Sequence, residues 1–202
     1  MTRRIQIPVL GGARAYVLHR PHPTLHALDR QLRAIGLDVV QCWPELPAEA
    51  LSADFVFFDA DQGYDAQFPW PTGQSPMPMI ALIGSEAPGR IEWSLEAGAH
   101  AQLLKPVGDG GAYSALLIAR TAFEARQSLS AEIADLRRRL DERQTVVRAV
   151  MLLAARGKSE SEAYDQLRQM AMAWRVSFED GARRVVASHD AQGGANDRSD
   201  LG

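Results

Sequence analysis

From Ala112 to Arg156 the chain contains neither proline nor glycine, and good helix formers dominate the stretch. Such a run predicts one helix of about 65 Å at ~1.5 Å per residue, too long to lie on a single small domain. Within it Leu129, Ile133, Leu136 and Leu140 step by four, three and four residues, and Val147 and Val150 continue the register. That spacing is the apolar seam of a short coiled coil, with Glu132, Asp135 and Arg137 to Arg139 at solvated or partner-facing positions. An exposed leucine seam needs cover. Residues 112–142 are therefore expected to form a dimerisation helix, in which Leu129, Ile133, Leu136, Leu140 and Val147 meet a second copy. Folding back on the chain's own sheet is the alternative.

Before this helix, strand-like and helix-like segments alternate. Ala13–Leu18, Leu37–Cys42, Asp54–Asp59, Met79–Ile83 and Ala101–Leu104 read as strands. Asp54-Phe-Val-Phe-Phe-Asp59 is nearly continuous in its apolar content, as a parallel strand buried on both faces should be. Thr24 is placed to cap a helix carrying Leu25, Leu28, Leu32 and Ile35, stopped by Gly36, and a second helix spans about Pro88 to Ala97 before Gly98. Between the third and fourth strands, Phe68-Pro-Trp-Pro-Thr-Gly-Gln-Ser-Pro-Met-Pro78 carries four prolines and cannot be a regular helix. The order predicts a flavodoxin-like α/β domain over residues 1–111 with a five-stranded parallel sheet.

After the long helix, Gly157 reads as a C-cap and Ser159-Glu-Ser-Glu162 as a capping box. Ala163, Leu167, Met170, Ala171 and Trp174 line one helical face; Phe178, Ala182, Val185 and Val186 line another. Residues 143–189 are thus expected to be an all-α three-helix module. Residues 190–202 lack apolar content and are expected to be disordered.

Composition excludes several classes. No run of ~18 apolar residues is present to span a membrane, and the start, Met1-Thr-Arg-Arg-Ile-Gln-Ile-Pro8, does not read as a secretory leader. The single cysteine, Cys42, permits no intrachain disulfide and suits a cytoplasmic protein. The net charge of −3 conceals an asymmetry: residues 118–189 carry 13 Lys and Arg against 10 Asp and Glu, whereas residues 1–117 carry 8 against 12. A phosphate-binding surface belongs in the second half. No nucleophile elbow, phosphate-binding glycine loop or zinc motif is present. His19, His22 and His26 cluster without an acidic or cysteine partner nearby in sequence, so no metal site, no cofactor and no enzymatic activity are expected.

With an aspartate, Asp59, ending the third strand and Lys105-Pro106 ending the fifth, the first domain resembles the response-regulator receiver. In that family the aspartate accepts a phosphoryl group and the lysine contacts it. The chemistry also needs an acidic pair after strand one to hold Mg²⁺, and here those positions read His19-Arg20. The hydroxyl expected after strand four falls at Ile83 or Gly84, with Ser85 as a displaced substitute. Asp59 and Lys105 are accordingly expected to mark a phosphoacceptor position that is inactive, making the domain a pseudo-receiver.

Arg143-Gln-Thr-Val-Val-Arg-Ala-Val-Met-Leu-Leu153, Gly157, Ser159-Glu-Ser-Glu-Ala163, Leu167-Arg168 and Ala171-Met172 resemble the ANTAR domain, a three-helix RNA-binding module. One departure is Val150, where a lysine is usual. Receiver, coiled coil and ANTAR in this order are similar to the AmiR/NasT family of regulators, and with Gln41-Cys-Trp-Pro44 to its AmiR type in particular. The resemblance implies transcription antitermination through hairpins in nascent leader RNA. Arg143, Arg148, Arg156, Lys158, Arg168 and Arg175 are the expected RNA-binding residues; Trp174 is expected in the core, with stacking on an RNA base as the alternative. It also implies a homodimer controlled by a protein partner, a ligand sensor resembling periplasmic binding proteins. The alternatives are a phosphorylation-dependent regulator acting through Asp59, and an interaction scaffold with no nucleic-acid activity.

Overall fold

The computed structural model describes residues 10–155 and 157–196. Strands β1 (Arg14–Leu18), β2 (Asp38–Cys42), β3 (Phe55–Asp59), β4 (Met79–Ile83) and β5 (Ala101–Leu104) alternate with helices α1 (Thr24–Ile35) and α2 (Pro88–Glu96). Helices α3 (Ala112–Ala154), α4 (Glu160–Trp174) and α5 (Phe178–Asn196) follow. The chain divides into two compact units, with the division at Ser128 and Leu129, inside α3.

In the first unit all four strand pairings are parallel and the order is β2-β1-β3-β4-β5. This is the flavodoxin-like arrangement expected. Its strand order reverses beside β1 and β3, which opens a crevice at their carboxyl ends. Alternation along β3 explains its apolar composition. Phe55 and Phe57 join Val17, Ile80, Leu28, Leu32 and Leu116 on one face, while Val56 and Phe58 join Leu18, Ala81 and Ile83 on the other. A strand with helices or loops on both sides has no solvated face to furnish with polar residues.

The second face is covered unusually. A 3₁₀ turn at Ala48–Ser52 separates β2 from β3, and another at Asp65–Gln67 follows β3. No helix forms across the proline-rich segment. Aromatic packing covers the sheet there instead: Phe68 lies edge-on to Phe58 at 5.4 Å between centroids and stacks near Trp70 at 5.7 Å. Trp93 from α2 closes the cluster, edge-on to Phe58 at 5.8 Å.

Small differences from expectation have local causes. Pro23 occupies the N-cap of α1, so Thr24 is its first helical residue, not its cap. The last helix runs through Asn196, so the disorder expected from residue 190 gives way to helix up to that point; residues 197–202 lie outside the described residues.

In the second unit, Ala149, Val150 and Leu153 of α3 pack with Ala163 and Leu167 of α4 and Ala182 and Val185 of α5. The capping box forms as expected. Ser159 accepts from the Glu162 amide at 3.3 Å, and Glu162 accepts from the Ser159 amide at 2.8 Å. Gly157 adopts a left-handed φ of 87°, and its amide donates to the Ala154 carbonyl at 3.0 Å.

Candidate functional site

The crevice at the carboxyl ends of the strands measures about 260 Å³ and is lined by His19, Arg20, His22, Asp59, Asp61, Gln62, Lys105 and Pro106. Each side chain comes from a strand end or the loop just after it. Lys105 Nζ donates to Asp59 Oδ1 at 2.8 Å and stands 2.7 Å from Asp61 Oδ2. The structure therefore unites Asp59 and Lys105, and adds two partners that the sequence reading did not supply.

The first is Asp61. Its Oδ2 accepts from the Gly84 amide at 2.8 Å and its Oδ1 from the Ser85 amide at 3.0 Å. Burial pushes this carboxyl up, but Lys105 and the two amides outweigh burial and hold it below its ordinary value. Gly84 is what permits the approach, since a Cβ there would lie 2.6 Å from Asp61 Oδ2. The hydroxyl of Ser85 turns away and accepts from the Ala87 amide at 3.4 Å.

The second is His19, the first residue after β1. Its Nδ1 lies 2.6 Å from the Arg20 carbonyl, which can only accept, so Nδ1 carries a proton. That leaves Nε2 to face Lys105 Nζ at 3.3 Å and Asp59 Oδ2 at 3.3 Å. Asp59 Oδ1 also accepts from the Asp61 amide at 2.9 Å. Asp59 Oδ1 is thus doubly hydrogen-bonded, Oδ2 lies against the His19 ring, and the side chain is 2% exposed. Arg20 turns to the loop after β3, where the Gln62 carboxamide oxygen is oriented to accept from its guanidinium at 3.2 Å.

The divalent cation used by phosphorylating receivers does not fit these residues. Lys105 already bridges the two carboxylates, His19 faces the remaining Asp59 oxygen, and an imidazole and a guanidinium stand where acidic ligands would be required. Among the described residues no group of three or more His, Cys, Asp or Glu is arranged to hold a metal ion. His22 packs near His19, with 6.0 Å between ring centroids.

The second unit carries the basic candidates. Arg143, Arg148, Lys158, Arg168 and Arg175 are exposed; Arg156 lies outside the described residues. They are not equivalent. Arg148 is paired with Asp190 of α5 at 2.8 Å. Arg168 lies over the Tyr164 ring at 5.6 Å. Arg175 ends α4 in the left-handed region at φ 55°. Arg143 falls three residues after Leu140 and four before Val147, on the seam itself.

Leu129, Ile133, Leu136, Leu140 and Val147 are between 41% and 58% exposed in the single chain. Val150 departs from this seam and is buried in the helical core. A lysine at that position would have to leave the core to reach solvent, so valine there enlarges the core and does not vacate an open basic face. Trp174, expected in the core, is instead 38% exposed, with Arg184 over its ring at 5.7 Å.

A five-stranded parallel receiver-type sheet with an aspartate-lysine pair at its switch point, followed by a capped helical module, defines a response-regulator-like protein with a helical output. A family model described as AmiR, N-terminal, matches residues 13–120, and the ANTAR domain model matches residues 134–186. The chain belongs to the AmiR family of regulators and carries an ANTAR domain. It is 28% identical over 160 residues to the aliphatic amidase regulator of Pseudomonas aeruginosa, an alignment covering 77% of this chain and 82% of that one. Solved structures similar to it include a CheY-like response regulator from Mesorhizobium loti, at 15% identity and TM-score 0.41, covering 52% of this chain and 97% of that one. Full-length FixJ from B. japonicum is similar at 19% identity and TM-score 0.42, covering 88% and 89%. No described helix is long and apolar enough to cross a membrane.

Proposed function

We propose that this chain is a transcription antitermination regulator that binds hairpins in nascent leader RNA through its ANTAR domain, as a dimer, under the control of a protein partner. The observation that carries the control mechanism is the closure of Asp59 by Lys105 and His19. An in-line phosphoryl transfer needs an accessible carboxylate oxygen and a cation shared with the incoming phosphate, and here the protein's own side chains hold both positions. Signal input then falls to contacts made by another protein, in keeping with a ligand-sensing partner.

RNA binding rests on the ANTAR domain and on exposed Lys158, Arg168 and Arg175, which are open to phosphate contact. Arg148 must first leave Asp190. Arg143, lying on the seam, serves the dimer before it serves RNA. Two copies joined through Leu129, Ile133, Leu136, Leu140 and Val147 would hold two modules together, so that the second hairpin binds at high effective concentration.

The test uses the full chain, a pool of hairpin RNAs with randomised loops, and tandem versions of the selected hairpins. Parent protein is expected to sediment as a dimer and to prefer tandem to single hairpins. Leu136→Asp with Leu140→Asp should yield a monomer that keeps single-hairpin binding and loses the tandem preference. Absence of hairpin binding at physiological salt would overturn the RNA reading. Uptake of radiolabel from acetyl phosphate at Asp59 would overturn the partner-controlled one.

A further inference from the structure

We infer that Trp174 and Arg184 form a stacking site for an unpaired RNA base, a role that rests on the RNA-binding reading above. Helical spacing puts Trp174 in line with Leu167 and Ala171, yet the core stops at Ala171. There Gly181 of α5 crosses α4 so closely that a Cβ at 181 would lie 2.8 Å from the Ala171 Cβ. One turn beyond the crossing on each helix stand Trp174 and Arg184. The indole is left 38% exposed, and the guanidinium sits 5.7 Å from its ring centroid.

The cation over this ring is unpaired, whereas some other arginines of the module are not. Arg183, beside Arg184 in sequence, is paired with Asp180 at 2.8 Å and Glu142 at 3.8 Å, and Arg148 with Asp190. Among the described residues Arg184 and Arg175 have no carboxylate within ion-pair distance, and the Trp174 indole N–H has no acceptor. An apolar protein partner would gain nothing from two uncompensated cations at the rim of its contact. A nucleotide uses all three features: the base stacks on the indole or guanidinium plane, its edge accepts from the N–H, and its phosphate meets the arginines. The site would supply loop recognition, whereas Lys158 and Arg168 supply backbone attraction.

The experiment takes a hairpin selected from the randomised-loop pool and places 5-iodouridine at successive loop positions. After irradiation of the full-chain complex, the crosslink is mapped among tryptic peptides. We expect it on the peptide Gln169–Arg175, in which Trp174 is the aromatic residue. Trp174→Leu should weaken binding about tenfold or more while leaving the salt slope unchanged, and Trp174→Phe should retain most of the affinity. Arg184→Gln should weaken binding and flatten the slope of log K against log salt by about one. Circular dichroism of each variant controls for folding of the module. A hairpin bound with crosslinks elsewhere, and equally tight to parent and Trp174→Leu, would overturn the stacking site and leave the pair as a clamp between α4 and α5. If no hairpin in the pool binds, the antitermination reading itself falls.

Discussion

Replacing Lys105 by methionine tests the ionic cluster most directly. The side chain keeps its length and apolar stem, but the ammonium that lies 2.8 Å from Asp59 and 2.7 Å from Asp61 is lost. Asp59 is 2% exposed and Lys105 14% exposed, so the broken pair is a buried one. Removing one partner of such a pair costs about 3–5 kcal/mol, because the other charge stays buried without compensation. Asp61 is 25% exposed and adds less, about 1 kcal/mol after solvent screening. Neutralising Asp59 in the same chain should relieve most of the damage. Lys105→Met with Asp59→Asn is then less damaged than the two single losses added together, by a coupling of about 2–3 kcal/mol.

Urea unfolding followed by indole fluorescence reads this out. In a Trp174→Phe background the remaining tryptophans, Trp43, Trp70 and Trp93, all report on the first unit. The pH dependence provides a second check. Because Asp61 is held below its ordinary value in the folded chain, its contribution is present above the ordinary carboxylate range and lost as pH falls through the lowered one. The gap between parent and Lys105→Met should therefore narrow as pH falls through that lowered range. A loss under about 1 kcal/mol at neutral pH, or a double variant as damaged as the two singles combined, would refute the reasoning.

A second acid-sensitive contact lies at His100, whose Nδ1 accepts from the Met79 amide at 3.2 Å and whose ring meets Phe123 edge-on. Burial first, then Arg126, lowers its affinity for a proton, so the stability it gives is complete above the ordinary histidine range and lost as pH falls below it. His100→Gln keeps an acceptor and should flatten that part of a thermal melting profile against pH. Gly181→Ala tests the α4–α5 crossing. Helix propensity alone would favour alanine by about 1 kcal/mol, but a Cβ 2.8 Å from that of Ala171 must force the helices apart. A net destabilisation of about 1–3 kcal/mol in calorimetry is expected, and a gain would show that the helices separate freely.

Much of the fold was legible because local rules and burial point the same way. Phe55–Asp59 has the apolar run of a central parallel strand, Gly36 stops α1 in the left-handed region at φ 98°, and Ser159 with Glu162 starts α4. The ionic cluster was half legible. Asp59 and Lys105 sit at strand ends, where sequence position fixes orientation. Asp61 escaped notice because its place depends on a loop that closes only where Gly84 lacks a Cβ. His19 was read as a missing acid, and its direct contact with Asp59 follows from the parallel register of β1 and β3.

Helical spacing misled at Val150 and Trp174 for a shared reason. Periodicity identifies a stripe but not the point where a partner helix arrives or leaves. Val150 continues the seam in sequence, yet α4 and α5 have already converged on α3 at that level. Trp174 continues the α4 core stripe past the crossing. The tail differs for another reason: residues 190–196 lack apolar content, which suggests disorder, but α5 extends to Asn196.

Because one unbroken helix carries both the leucine seam and the third wall of the ANTAR module, the two cannot be ordered independently. The expensive first turn of α3 is formed once and serves both. Unwinding anywhere between Leu140 and Ala149 would remove a support from the module and a heptad from the seam together. Assembly state and output would thus share a single source of cooperativity, and excising the module at its own boundary would cut through the element that nucleates it.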